Sequence, residues 1–486
     1  MKNLLKNYVE EFNRTDDELY VNDIPNAKAY EWLEDRIPLF ECPDKQLEKT
    51  YYFRWWTYRK HIMTTSGGQG VSEFMPHVPW VKNKYNICGG AAHHHFYEGR
   101  WLRNSNDIFS FYLRCFLDDP ATAHQYSSWL LNSAEEYEKV GGDLSIGKRE
   151  LDQMIEYYGE WERTHGHSSG MFWSLDGYDA MEYSISGIRN GKSVKGIRPT
   201  LNSYMYAEAL AIAYFAKKIG ENETAVAYEQ KAEKLKKLIN ENLLFDGFYK
   251  AKHGECDDEL EEILEKPGDT GSPKELIGYI PYMFGIPEEG LENCFNYLND
   301  PNIFLAKTGM TTADRSHPDY LKEYKHECLW NGYVWPFATA QTLTGLIKTI
   351  HSGHPELKSI FIKHMLLYAN SHIIEKDGKI LPWIDEVMSP DEYKWTAREI
   401  LEARGWPHGR ERGKDYNHST FCDLVITGIV GVRTDSDELS VDPAIPPEWD
   451  YMKMENIRYR DHLYTVIYDK TGEKYGMGKD IIILKK

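Results

Sequence analysis

The stretch "SLDGYDAMEYSISG", residues 174–187, sets Asp176, Asp179 and Glu182 within seven positions, among Gly, Ser and aromatic residues. Carboxylates this close disfavour one another's ionisation, and a carboxyl with a raised pKa can deliver a proton near neutral pH. A second acidic stretch, "LPWIDEVMSPDEYKW" (381–395), carries Asp385 and Glu386 near Pro390 and near Trp383, a candidate sugar contact. Cleavage of a glycosidic bond asks for two such groups, one protonated to donate to the leaving oxygen and one ionised to activate water or attack directly. Asp176 reads equally well as a helix cap or as an ion-pair partner of Arg189 and Lys192.

Aromatic residues make up 14% of the chain, with 34 Tyr and 14 Trp, many of them beside Gly, Pro and polar residues. Sugar rings offer apolar faces to aromatic rings and hydroxyl edges to fixed polar groups. On this reading Trp173 stacks next to the acidic turn, and "KHECLWNGYVW" supplies Glu327 and Asn331. "KDYNHSTFCD" adds Tyr416, Asn417 and His418, and the Pro-rigidified "EFMPHVPW" presents Phe74 or Trp80. For Glu327 and His418, helix-start capping is an equal alternative. His93, His94 and His95 are consecutive, so their side chains diverge on a helix or strand and no metal site is expected. One of them is instead assigned, with Arg100 and Trp101, to hydrogen bonding and stacking against a sugar. No Walker-type, dinucleotide or nucleophile-elbow motif occurs, and no cofactor is expected.

The elements that must position these residues are mostly helical. "TLNSYMYAEALAIAYFAKKIG" and "ETAVAYEQKAEKLKKLINENLL" have helical periodicity and a short polar link, which predicts an antiparallel pair. Similar helices are expected in "LEKTYYFRWWTYRKHI", "NDIFSFYLRCFL" with "ATAHQYSSWLLNSAEEYEKV", and "VWPFATAQTLTGLIKTI" with "PELKSIFIKHMLLYANSHII". The long loops 64–96 and 381–418 alternate with short links, which suggests a closed ring of hairpins, an open solenoid being the competing architecture. From about residue 436, "HLYTVIYD" and "DIIILKK" flank the turn "DKTGE" and predict antiparallel strands. The expected organisation is a lead-in at 1–45, a helical domain at 46–435 and a small β module at 436–486.

In order, "GYDAME", "CLWNGYVWPFATAQTL", "DEVMSP" and "NHSTFCDLVITGIVG" resemble the motifs of inverting glycosidases built on an (α/α)6 barrel. The likeness is to glycoside hydrolase family 63 and its mannosylglycerate hydrolase-like relatives, and it spans roughly residues 50 to 430. It implies Asp179 as general acid, Glu386, four residues before Pro390, as general base, and Trp330, Gly332 and Trp335 as the segment shaping the sugar subsite. The family acid is commonly followed by a second Asp and an Arg. Here Ala180 and Glu182 stand nearby, so Glu182 is an alternative acid, and the adjacent Asp385 is an alternative base. The resemblance implies a mainly α fold, an (α/α)6 barrel or toroid of helical hairpins with a small C-terminal antiparallel β module. It also implies an exo-acting, inverting hydrolase of a small oligosaccharide or glycoside.

Bulk properties bound the alternatives. A chain of 486 residues with 41% hydrophobic content builds a substantial core. Its formal charge of −19, with acids and bases interspersed, offers no basic face to nucleic acid and no polybasic patch to a membrane. Seven cysteines without a CxxC pair argue for reduced thiols, and the absence of a signal-like apolar run in the opening residues predicts a cytoplasmic protein. Two other functions fit helical toroids. A sugar isomerase or polysaccharide lyase would lean on His or Tyr bases, the triple His being its best argument. A carbohydrate-binding protein would keep the cleft without the chemistry.

Overall fold

Two kinds of helix alternate along the chain, told apart by how far burial extends around them. In the computed structural model, which describes residues 1–254, 271–406 and 408–486, helix Lys148–His165 buries Leu151, Met154, Tyr158 and Trp161. Helix Asn222–Leu243 likewise buries Ala225, Tyr228, Ala232, Leu235 and Ile239. Spacings of three or four residues make one apolar stripe, the mark of a helix with its other face in water. Ala92–Gly99, by contrast, is buried at every position, and Leu130–Lys139 and Pro336–His351 at nearly all. Helices buried all round must be lined on every side by protein.

The all-round helices form an inner ring. Ala92–Gly99 packs on Leu130–Lys139, and that helix on Pro199–Lys218. The ring continues through the short helix Ile280–Met283 to Pro336–His351 and Cys422–Leu424, then closes on Ala92–Gly99. The ring of helical hairpins is therefore the closed (α/α)6 barrel, not the open solenoid. Outside it lie Lys45–Lys60, Asn106–Leu117, Lys148–His165, Asn222–Leu243, the 3-10 segment Glu292–Asn299 and Lys358–Ser371.

The chain ends in antiparallel strands Tyr451–Tyr459, His462–Asp469 and Asp480–Lys485. Burial along the first alternates at Met452 and Met454, then resumes at Ile457 and Tyr459. A bulge between Met454 and Ile457, with Asn456 at φ +63°, inserts the extra residue that shifts the alternation. The fourth strand, Leu39–Glu41, comes from the lead-in. Residues 1–45 also place helix Lys2–Thr15 against Lys45–Lys60, with Phe12 edge-on to Phe53 at 5.6 Å. Asp16 accepts from Lys60 and Lys414, and Tyr20 donates to the Glu411 carbonyl. The lead-in thus braces the loop that carries Arg412.

Several segments depart from their sequence patterns. The helix expected over 121–140 breaks into the turn Pro120–Ala123 and the helix Leu130–Lys139. Between them Ser127 spends its N–H on the Tyr178 carbonyl and its hydroxyl on Asp179. Loop 64–96 begins as a hairpin, Ile62–Thr65 with Gly68–Val71, and 381–418 contains helix Thr396–Ala403. The helices Lys2–Thr15 and Lys148–His165 were not anticipated. Among the described residues no helix is long and apolar enough to cross a membrane, and the described cysteines are unpaired, Cys256 lying outside them.

Candidate active site

The loops that enter the inner helices converge on a cavity of about 260 Å³. Gly90 precedes helix Ala92–Gly99, Tyr126 precedes Leu130–Lys139, Glu182 precedes Pro199–Lys218, and Trp335 immediately precedes Pro336–His351. Tyr416 precedes Cys422–Leu424. The positive ends of the helix dipoles therefore face this end of the barrel, which favours negative charge there. Four carboxyls use that setting: Glu73, Glu182, Glu327 and Glu386 all line the cavity.

Glu182 stands between Ala180 and Tyr183, both in the left-handed region at φ +55° and +61°. Each such non-glycine residue costs about 1–3 kcal/mol, a strain that persists where the surroundings over-determine the turn. The clamp is visible: Trp330 N–H donates to the Glu182 carbonyl, and Tyr183 packs against Tyr324 at 4.8 Å. Burial pushes the Glu182 carboxyl up to about 8; its own backbone N–H opposes this, while Asp176, Glu386 and Glu327 add like-charge repulsion.

Glu386 is held by a cation. Arg412 donates from Nε to Oε1 at 3.0 Å and from Nη2 to Oε1 at 2.5 Å and Oε2 at 2.7 Å. Burial lifts the Glu386 carboxyl above its ordinary range, and Arg412 works against that lift. The other end of the guanidinium, Nη1, reaches Glu327 Oε1 at 3.1 Å, and Arg404 also bonds Glu327. For Glu327, burial is outweighed by its backbone N–H, His326 and Arg412, which together hold it below the usual range. Across one cavity, then, a carboxyl raised by burial and like charges meets one whose rise a bound guanidinium opposes.

Aromatic rings wall the space. Phe74 meets Trp80 at 5.5 Å and Tyr416 at 4.5 Å, and Trp80 meets Trp406 at 5.9 Å. Trp330 stacks behind Trp335 at 4.4 Å, and His418 behind Tyr416 at 3.9 Å.

Asp179, the expected acid, is not among the residues lining this cavity. Its Oδ2 accepts from Arg198 Nε at 2.6 Å and Thr200 Oγ1 at 2.5 Å, and its Oδ1 from Ser127 at 2.7 Å and Ser174 at 3.2 Å. Arg198 also donates to Ser184 and Ser186, so the pair holds the turn just after Glu182. Asp385, the alternative base, accepts from Arg398 Nη1 at 2.8 Å and from the Glu386 N–H at 2.9 Å, which fixes the backbone of its neighbour. Asp176 accepts from Ser193 rather than from Arg189 or Lys192.

Several expected sugar contacts also lie elsewhere. Arg100 is buried between Glu136 and Asp423, and the Trp101 indole donates to the same Asp423. His93 stacks on Trp129 at 3.5 Å, and His95 bridges the Tyr112 hydroxyl and the Asn417 carbonyl. Burial drives these histidines down, His95 to about 3, and none of the three lines the cavity, so the triple His gives the isomerase and lyase readings no support there. Trp173 stacks on His165, Trp383 lies between Lys376 and Arg398, and Asn331 donates to the Lys322 carbonyl. Gly332, at φ +138°, serves close packing: a Cβ there would stand 2.4 Å from the Tyr320 ring. Trp335, Glu327 and Tyr416 are at the cavity as expected.

Glu73, Arg412, Trp406 and Tyr126 were missed. Glu73 adjoins Phe74, which had been singled out, and Arg412 sits in "GRERGKDYNH" just ahead of Tyr416, but no spacing rule points to either. A Cβ at Gly413 would fall 2.1 Å from Asp385 Oδ1 and 3.2 Å from Glu386 Cγ. Gly413→Ala is therefore expected to lower kcat/KM by about tenfold or more, since a displacement near 1 Å at a reacting group costs up to about a hundredfold. Steady-state kinetics beside a melting curve check this, and unchanged kcat/KM contradicts it. A larger cavity, of about 450 Å³, opens beside the far ends of Leu130–Lys139 and Pro336–His351. Its buried Glu135 and Glu136 are already paired with Lys139, and its Glu288 and Glu289 are exposed to water. Among the described residues no group of three or more His, Cys, Asp or Glu is disposed to hold a metal ion.

This barrel with carboxyls at one mouth defines an (α/α)6 glycosidase architecture. The chain belongs to the mannosylglycerate hydrolase MGH1-like glycoside hydrolase domain family, whose profile matches residues 84–419, and residues 432–483 match the C-terminal domain of glycosyl hydrolase family 65. A solved protein named "Sialidase" is similar at 34% identity and a TM-score of 0.87, over 100% of this chain and 43% of its own. A family 78 rhamnosidase of Bacillus sp. GL1 shares the fold at 14% identity and a TM-score of 0.56, over 90% of this chain and 41% of its own. An alpha-L-rhamnosidase from Dictyoglumus thermophilum does so at 13% and 0.50, over 90% and 43%. The chain spans less than half the length of each of these three.

Proposed function

We propose that the protein is an exo-acting glycoside hydrolase that works with inversion, Glu182 serving as general acid and Glu386 as general base. The observation that carries this reading is the meeting of Glu182 and Glu386 in one aromatic-walled cavity, with Arg412 on the second and three like charges bearing on the first. Glu182 protonates the departing oxygen while Glu386 takes a proton from a water on the opposite face of the ring. Asp179 acts as a positioning residue through Arg198. A cavity of about 260 Å³, below the roughly 300–1,000 Å³ of pockets for drug-sized ligands, suits one terminal sugar and supports exo action. Inversion is supported by the resemblance to inverting barrels, and a cytoplasmic location by the unpaired described cysteines.

Activity needs Glu182 with its proton and Glu386 without one. Since the Glu182 carboxyl is raised to about 8, the active form is present below that pH and lost above it. The expected kcat/KM profile falls on the alkaline side near pH 8, and falls again in acid as Glu386 gains a proton. In Glu182→Gln the alkaline fall disappears. A profile whose alkaline fall survives in that variant contradicts Glu182 as the acid. Proton magnetic resonance of the anomer first released tests inversion: the opposite configuration is expected, and retention would mean a covalent intermediate.

A further inference from the structure

Glu73 has no part in the proposed proton transfers, yet it lines the same cavity and is 7% exposed. Its Oε1 accepts from the Tyr416 hydroxyl at 2.6 Å. Its backbone carbonyl accepts from Asn417 N–H at 3.1 Å, and the Asn417 amide donates to the Ser72 carbonyl at 3.2 Å. Glu73 is thus fixed on both sides. Its second oxygen, Oε2, is buried and receives no N–H or O–H among the described residues; the Cys88 thiol, a weak donor, also interacts with the carboxyl. A Cβ at Gly90 would stand 3.6 Å from Oε2, so the glycine leaves open the space beside that atom. A buried carboxyl oxygen without a strong partner is costly in a folded protein, and the side chain that carries this one lines the cavity.

The charges around the cavity say what could enter. Glu73, Glu182, Glu327 and Glu386 stand against Arg412, the one Arg or Lys side chain among the described lining residues. Arg412 has its Nε and Nη2 on Glu386 and its Nη1 on Glu327. A carboxylate on an incoming sugar would meet carboxyls and no uncommitted guanidinium. Burial lifts Glu73 to about 7; the Tyr416 hydroxyl, the Cys88 thiol and Arg412 pull it down and Glu386 pushes it up, so it spends much of its time as a neutral acid. In that form it can both donate to and accept from a hydroxyl.

We propose that Glu73 is a specificity-determining residue whose carboxyl pairs with a hydroxyl of a single uncharged sugar ring, and that the carboxyl-lined cavity around it turns away sugars bearing a carboxylate. This deepens the glycosidase reading and rests on it. The test compares wild type, Glu73→Gln and Glu73→Ala on nitrophenyl glycosides of neutral hexoses, 6-deoxyhexoses and pentoses, against the matching glucuronide, galacturonide and sialoside. At least one neutral glycoside is expected to exceed every anionic one by about a hundredfold or more in kcat/KM, because like-charge juxtaposition is strongly disfavoured. Glu73→Ala is expected to raise KM by about tenfold with kcat changed only a few fold, as for loss of one hydrogen bond, and Glu73→Gln to fall between it and wild type.

An anionic glycoside as the best substrate overturns the proposal, as does an unchanged KM in both variants. So does a collapse of kcat at constant KM, which would put Glu73 in the proton transfers. Failure of the glycosidase reading looks different: wild type cleaves none of the panel. Isothermal titration with free neutral monosaccharides and their uronic acids then decides. Binding of a neutral sugar that Glu73→Ala weakens supports the proposal, and no neutral binding, or binding indifferent to Glu73→Ala, refutes it.

Discussion

Glu182→Gln is expected to lower kcat by about a thousandfold on substrates with an alkyl alcohol leaving group while the melting temperature stays close to that of wild type. An amide matches the carboxyl in shape but has no acidic proton to give. The neighbourhood should tolerate the exchange, because burial and three like charges already favour the uncharged form. The loss should shrink on aryl glycosides, whose leaving groups depart without protonation, whereas Glu386→Gln should stay inactive on both, since it removes the base that activates water. Equal losses on alkyl and aryl substrates in Glu182→Gln would remove Glu182 from the acid role.

Asp179→Asn is the second large effect, and it is one on folding. Arg198 and Asp179 form an ion pair at 2.6 Å with side chains 1% and 0% exposed. Removing one partner of a buried pair leaves the other charge uncompensated, at a cost of about 3–5 kcal/mol. The hydroxyls of Ser127, Ser174 and Thr200, which now donate to Asp179, lose a charged acceptor as well. Denaturant unfolding should show the drop directly. Activity should fall too, because Arg198 holds Ser184 and Ser186 beside Glu182, and an aryl leaving group should not rescue it. A variant that folds with wild-type stability, is inactive on alkyl glycosides and recovers on aryl ones would return the acid role to Asp179.

The contrast between Asp179 and Glu182 shows what a sequence can and cannot convey. Periodicity revealed the hairpins, because a helix buried on one stripe must repeat every three or four residues, as Ala225, Tyr228, Ala232, Leu235 and Ile239 do. Closure of the ring is not written in any single helix; it depends on contacts such as that between Cys422–Leu424 and Ala92–Gly99, hundreds of residues apart. Motif order located the acidic turn but not which acid lines the cavity. That choice is made by left-handed backbone at Ala180 and Tyr183 and by Arg198, Thr200 and Ser127 closing around Asp179, all tertiary facts. Arg100 and Trp101 looked like sugar ligands because Arg and Trp are good ones; here they satisfy Asp423 in the barrel wall. Glu73 was invisible because its chemistry comes from burial beside Tyr416, a partner 343 positions along the chain.

Crystallography of Glu182→Gln with an uncleaved neutral glycoside bears most directly on the proposed chemistry. The glycosidic oxygen should lie within hydrogen-bond reach of residue 182, with one solvent molecule on the opposite face of the ring touching Glu386 and the two carboxyl positions roughly 6.5–9.5 Å apart. A sugar bound outside this cavity, or one whose glycosidic oxygen approaches Asp179 instead, would contradict the pairing of Glu182 with Glu386.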